Sequence, residues 1–407
     1  MALVQKQFGE LITFTRSSAA GRFNASGVFE MVPANQPRFD YDPATKVLRG
    51  MLIEEARTNL ILQSSDFSHS SWGKNTSNIS ITPNAAISPD GGLNASTVND
   101  TGTGDDYMAQ SVAFNSLLRY STSVHVRKTT DSLSTVGIWL FCSGGTSAQS
   151  SIGVLNTNTG TVISGGGALV ESVSYGDYWR LQVTTPADNG TGNSQIQIRI
   201  YPVFNLITDN NANRRNDLTG SSVMWGCQVE SGQFATSYIP TTTSQVTRAA
   251  DAPFVNQLSP WYNPVEGTLY VDYTPGYIGV GSTNAGVYMS SAAAADNVVT
   301  LRDGPLKGTI YGLIALRAGS TESSLIGATG VPVGTNLRAA MSFRADGVSF
   351  SVNGGKAVTR GPITMPIPTR MGVGTAPNAQ QSSNGYVRAV RYYPRRMTDA
   401  ELQALTT

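Results

Sequence analysis

Two adjacent carboxylates, Glu54 and Glu55, followed by Arg57 in MLIEEARTNLIL, are the first residues of this sequence that could do chemistry. Glycoside hydrolysis needs two carboxyl groups facing each other across a cleft, about 5–5.5 Å or 6.5–9.5 Å apart. Neighbouring side chains of an extended chain point to opposite faces, so this pair cannot meet one substrate. The expected arrangement is structural, with one Glu paired to Arg57 or another cation and one solvated. Only two histidines, His69 and His125, occur, far apart in sequence. That all but removes histidine-based catalysis and zinc sites. No Gly-x-Ser-x-Gly elbow, phosphate-binding loop or zinc spacing is present. The expected activity is binding, not catalysis, with no cofactor.

Binding leaves a different signature. Sugar C–H faces lie on aromatic rings, with Asn, Asp or Gln beside them to hydrogen-bond hydroxyls. Trp72 in SHSSWGKNTSN and Tyr107 in GTGDDYMAQ sit in polar surroundings and are the candidate glycan-stacking rings. The competing reading is that each caps the edge of a core. Trp179 and Trp225 lie in strong strand patterns and read as core. Tyr277, Tyr386 and the Tyr392–Tyr393 pair are unranked candidates. Asp100, Asp105 and Asp106, in NDTGTGDD, have the residue types to hold a calcium ion, but a solvated acidic turn is the favoured reading.

The elements that must position these residues are strands. Charged residues make up 14% of the 407, against roughly 25% in ordinary soluble domains. The polar surface therefore comes from Ser, Thr, Asn, Gln and Gly, which suits strands and turns better than solvated helices. Period-two and short apolar runs recur (STSVHVRK, TVGIWLFCS, SQIQIRIYPVF, VSFSVNGGKAV) with turn residues between them, which predicts an all-β architecture of antiparallel sandwiches. Asn353-Gly354 has the composition of a tight hairpin turn. MTDAELQAL is the one clear helix, with Thr398 and Glu401 at capping-box spacing. A net charge of +1 gives no field to draw the chain onto nucleic acid. No apolar run is long enough to cross a bilayer, and the start of the chain lacks a signal-peptide core. Cys142 and Cys227 read as buried reduced thiols, with a disulfide left open.

The chain divides into an irregular N-terminal segment (1–57) for attachment or subunit contact, a jelly-roll-sized sandwich at 58–245, a linker at 246–265 and a second sandwich at 266–407. Leu11, Ile12, Phe14, Phe23 and Phe29 in the first segment need a surface to cover them, which predicts a homo-oligomer.

Several stretches together carry a resemblance. FTRSSAAGRF, PRFDYDPATKVLRGMLIEEARTNLILQSSDFSHSSW and GCQVESGQFATSYIPTTTSQVTRAAD resemble a module of tailed-bacteriophage tail, fibre and spike proteins. TNLILQSSDF followed by Trp72 is similar to the opening of jelly-roll carbohydrate-binding modules. GTLYVDYTP, DGVSFSVNGGKAV and GYVRAVRYYPRRMTDAELQAL are similar to a concanavalin A-like (laminin-G-like) sandwich. The resemblance implies a jelly roll followed by a concanavalin A-like domain in a virion component, often trimeric, assembled in the bacterial host cytoplasm. Its implied partners are other virion proteins and host cell-surface polysaccharide. Only about ten residues precede the module, so either they form the anchor or attachment uses another surface. Glucanases on such sandwiches place acids as Glu-x-Asp-x-x-Glu, whereas VEGTLYVDYTP offers Glu266 and Asp272 with no third acid. Depolymerising spikes carry long β-helices, and no such repeat is found. The alternatives are a purely structural or adaptor virion subunit and, behind it, a glycan depolymerase.

Overall fold

The computed structural model describes residues 8–131, 134–186, 190–204, 218–277, 284–291, 296–304, 308–315, 323–376 and 381–407. The fold is all-β, as expected, with two antiparallel sandwiches and a short C-terminal helix. In the first sandwich one six-stranded sheet runs Val162–Gly165, Gln149–Asn156, Thr135–Ser143, Gln195–Tyr201, Met108–Ala113, Gly73–Lys74. The facing six-stranded sheet runs Leu169–Tyr175, Tyr178–Thr184, Tyr120–Arg127, Gly220–Ser231, Leu93–Asp100, Ile79–Ile87. Val136, Ile138 and Leu140 from one sheet meet Val124, Val126 and Leu181 from the other in a common core. Cys142 and Cys227 are both buried in that core and are not joined by a disulfide.

The second sandwich is built from two seven-stranded sheets, and the beginning of the chain belongs to it. Thr13–Thr15 pairs with Ala252–Val255 at the edge of one sheet. Arg38–Tyr41 and Leu48–Ile53 extend the other, next to Gly385–Tyr393. The described residues 8–57 therefore carry short strands, and within 246–265 Val246–Arg248 pairs with Arg57–Asn59. These strands are three to six residues long, and apart from the Arg38–Tyr41/Leu48–Ile53 hairpin they pair with segments far along the chain. Local periodicity has too few residues to register at that length. Topologically, the first sandwich is inserted into the second. The chain leaves after Ile53 and returns beside its point of departure.

The same pairing covers the apolar residues that had pointed to an oligomer. Phe14 lies in the second core, with Ile12 packed against it. The hairpin Ala20–Phe23/Phe29–Val32 lays Phe23 and Phe29 on Trp225 and Tyr238, over the outer face of the first sandwich. Leu11 is left 42% exposed, so most of that apolar surface is satisfied within one chain. Two local expectations hold. Asn353 and Gly354 both adopt positive φ in a turn between paired strands, and Thr398 and Glu401 complete a capping box on the helix Asp399–Thr406.

Candidate functional site

The isoleucines of Gln195–Tyr201 explain where a site can form. Ile196, Ile198 and Ile200 enter the core, so the alternate residues Gln195, Gln197, Arg199 and Tyr201 stand on the sheet's outer face. Register places Arg199 between Ala109 and Trp139, and Gln197 between Ser111 and Phe141. One flank of this strand is thus tall and aromatic. The other is low, because Gly73, Ala109, Ser111 and Ala113 carry little or no side chain. An added Cβ at Gly73 would meet only the Ala109 carbonyl, at 3.7 Å. The result is a step, with small residues as floor and aromatic rings as wall.

Arg199 stands at the step. Its guanidinium carbon lies 4.8 Å from the Tyr107 ring centroid, 4.6 Å from Phe141 and 5.8 Å from Trp139. Its Nε donates to Gln197 Oε1 at 2.6 Å. Tyr107 also packs on Tyr201 with centroids 5.3 Å apart, and the Tyr201 hydroxyl donates to Asp105 at 2.9 Å. Tyr107, Phe141 and Arg199 are half-buried, and Ser111 and Gln195 are exposed. The arrangement offers ring faces for apolar contact, amides and a hydroxyl for hydrogen bonds, and one cation.

The two candidate rings part company across this sheet. Tyr107 belongs to the outer face, whereas Trp72 is 2% exposed in the core. The indole donates to Gln63 O at 3.0 Å and meets Phe67 edge-on. The polar residues before it form an exposed turn, closed by Trp72 N–H to His69 O, and the side chain turns inward from it. In this geometry Trp72 presents no ring to a ligand. Trp225 is buried under the N-terminal hairpin, and Trp179 is half-buried against the core. Tyr277 stacks on Phe234, Tyr392 stacks on Tyr262, and Tyr393 packs near the C-terminal helix. The acidic turn is not solvated. Asp100 and Asp106 are buried, with Asp106 accepting from Thr76, Asn78 and Gly104 N. Burial raises the Asp100 pKa, and the charge of Asp106 adds to it.

A cleft of about 160 Å³ lies where the two sandwiches and the N-terminal hairpin meet, and it collects titratable groups. Glu54, Asp40, His125, Arg180 and Tyr386 line it. Each is already engaged. Glu54 is paired with Arg38 at 2.9 Å and accepts from Ser237 N and Oγ. Burial alone would raise its pKa, but Arg248, Arg38 and these hydrogen bonds hold it down at about 2. Asp40 accepts from Phe23 N and the Tyr386 hydroxyl. His125 is kept neutral by burial, helped by Arg180, with its pKa down to about 3. Glu55, on the other side of the chain, pairs with Arg57 and is 40% exposed. Neither glutamate is arranged for hydrolysis, and both are ion-paired, Glu54 with Arg38 in the buried junction and Glu55 with Arg57.

No known family model matches the chain, and no curated protein does. Among solved structures it is similar to the Ruminococcus gnavus IT-sialidase CBM40 bound to alpha2,3 sialyllactose, at 13% identity over 36% of this chain and 84% of that one, with a TM-score of 0.30. A second structure of the Ruminococcus gnavus IT-sialidase CBM40 gives 13% identity over 36% of this chain and 84% of that one, with a TM-score of 0.29. Domains LG4-5 of the mouse laminin alpha1 chain give 11% identity over 86% of this chain and 91% of that one, with a TM-score of 0.24.

Proposed function

We propose that this chain is a non-catalytic bacteriophage virion protein, a tail fibre, spike or surface decoration, that binds host-surface polysaccharide. The observation that carries the binding half is the step on the first sandwich, where Tyr107, Phe141 and Arg199 stand over Gly73, Ala109 and Ser111. A sugar ring set on that floor meets aromatic faces at its side and finds Gln197, Ser111 and Gln195 within the same face. The virion half is supported by the resemblance of FTRSSAAGRF, the PRFDYDPATK stretch and the TTTSQVTRAAD stretch to tail-protein modules.

Hydrogen bonds to sugar hydroxyls replace those with water, so each contributes about 0.5–1.5 kcal/mol net. A single open site then gives a Kd on the order of 0.1–1 mM. Several copies on one particle, in a trimer or a ring, raise the effective strength by about 10²–10⁴. The test is binding of the purified protein to host capsule or lipopolysaccharide, with Tyr107→Ala beside it. Weakened binding of a folded Tyr107→Ala protein is expected. Release of reducing ends from the same polysaccharide would overturn the non-catalytic reading. Binding to virion proteins alone would favour a structural subunit.

A further inference from the structure

We infer that Arg199 makes this face selective for glycans whose sugars carry a carboxylate, of the uronic or sialic acid type. The inference rests on the glycan-binding reading and names the ligand class within it.

The deeply buried arginines make a contrast with Arg199. Arg16, Arg38 and Arg248 are each set against Asp251 or Glu54, and Arg180 donates to Ser123 Oγ and Thr236 O. Arg199 departs from that pattern. Among the described residues it makes no ion pair, and its one hydrogen bond uses Nε. The positions sharing its face at the step are Tyr107, Ala109, Ser111, Gln195, Gln197, Trp139 and Phe141, none of them acidic. Asp105, two residues before Tyr107, accepts from the Tyr201 hydroxyl.

Orientation follows from the same contacts. Three rings within 6 Å restrain the guanidinium, and Gln197 fixes its Nε edge. That leaves the edge formed by the two terminal nitrogens for a partner. A planar fork of this kind matches the two oxygens of a carboxylate, and little side-chain entropy remains to be lost on binding. A single cation also suits a singly charged sugar better than a sulfate- or phosphate-dense chain, for which clusters of basic residues serve. The rings that hold Arg199 stand beside the floor that would take the sugar's C–H face. With a net charge of +1 the chain has no broad positive field, so recognition of an acidic sugar must come from such a local contact.

The experiment compares hexuronate and sialyl oligosaccharides, and the host polysaccharide, each with its carboxyl-reduced neutral form. Charge-assisted bonds of this type predict a preference of about 10- to 100-fold for the acidic form. Arg199→Gln is expected to abolish the preference, so that the acidic and carboxyl-reduced forms bind this variant alike, and Arg199→Lys to keep only part of it. The wild-type comparison needs no variant, so a poorly folding substitution does not blunt it. Equal binding of the acidic and reduced forms overturns the carboxylate inference and leaves the glycan-binding reading standing. Stronger binding of sulfated than of carboxylated oligosaccharides also overturns the inference. Binding of no polysaccharide at all overturns the reading on which it rests.

Discussion

Arginine is used in two opposite ways in two regions of this molecule. At the junction of the sandwiches, Arg16 places all five of its N–H groups on Asp251 Oδ1 and the carbonyls of Ser18, Val32, Pro33 and Gln36. Arg38 joins Asp251 to Glu54, and Arg248 reaches toward Glu54 at 3.5 Å. All three arginine side chains are almost completely buried. On the outer sheet face Arg199 is half-buried, held by rings, and has no carboxylate among the described residues. Charge withdrawn from water must be neutralised locally, and at the junction Asp251 and Glu54 are shared among the three arginines. Charge restrained at a surface keeps the capacity to meet a ligand. Position relative to solvent, more than residue type, separates a structural arginine from a recognising one.

Removing one junction partner gives the largest expected effect. Asp251→Ala leaves Arg16 and Arg38 buried without their shared anion, which costs about 3–5 kcal/mol. Urea unfolding followed by tryptophan fluorescence measures it. A loss below about 1 kcal/mol would erase the contrast between the regions. Acid gives the next effect. The folded pKa of His125 is depressed from 6.5 to about 3, so the unfolded chain binds the extra proton between those values. Stability is therefore full above pH 6.5 and falls as the pH drops toward 3, by about 2 kcal/mol at pH 5. Glu54, depressed from 4.5 to about 2, adds a further loss only below pH 4.5. Denaturation curves at pH 7 and pH 5 show this limb, and His125→Phe removes it. Arg199→Ala sits third, at about 0.5–1 kcal/mol of stability from lost cation–π contacts, with a much larger effect on acidic-glycan binding. Glu55→Gln, which takes a partly exposed carboxylate from the buried Arg57 while Ser231 O and the Phe234 ring still hold it, is expected to change thermal stability least, by about 0–1 kcal/mol. A result reversing these last two would show that Arg199 is part of the structural frame.

The parts that could be read from the sequence are those with local physical signals. Long alternating strands, the Asn353-Gly354 turn and the Thr398/Glu401 cap are written within a few neighbouring residues, and the structure contains them. Thr13–Thr15 and Leu48–Ile53 pair with strands far along the chain, such as Leu52 opposite Tyr386, and no window of sequence contains both partners. Trp72 was misplaced because polar neighbours describe the turn and not the direction of the indole. Arg199 and Gln197 were missed although SQIQIRIY shows the alternation plainly. The pattern gives two faces, but which cross-strand neighbours share the outer one is decided by register with Met108–Ala113 and Thr135–Ser143. The stretches that carried the resemblance contain Arg16, Arg38, Glu54, Arg248 and Asp251, so their distinctive charges belong to the buried junction.

The pairing of Arg57–Asn59 with Val246–Arg248 has an evolutionary consequence. Both ends of the inserted sandwich emerge side by side, as the termini of exchangeable domains commonly do. The second sandwich then acts as a socket and the first as a cartridge. A replacement needs only two adjacent ends and an apolar back to receive Phe23 and Phe29, in place of the one that Trp225 and Tyr238 now supply. A lineage built on this frame could change the surface it adheres to by exchanging the cartridge, while the socket and its attachment stayed as they were.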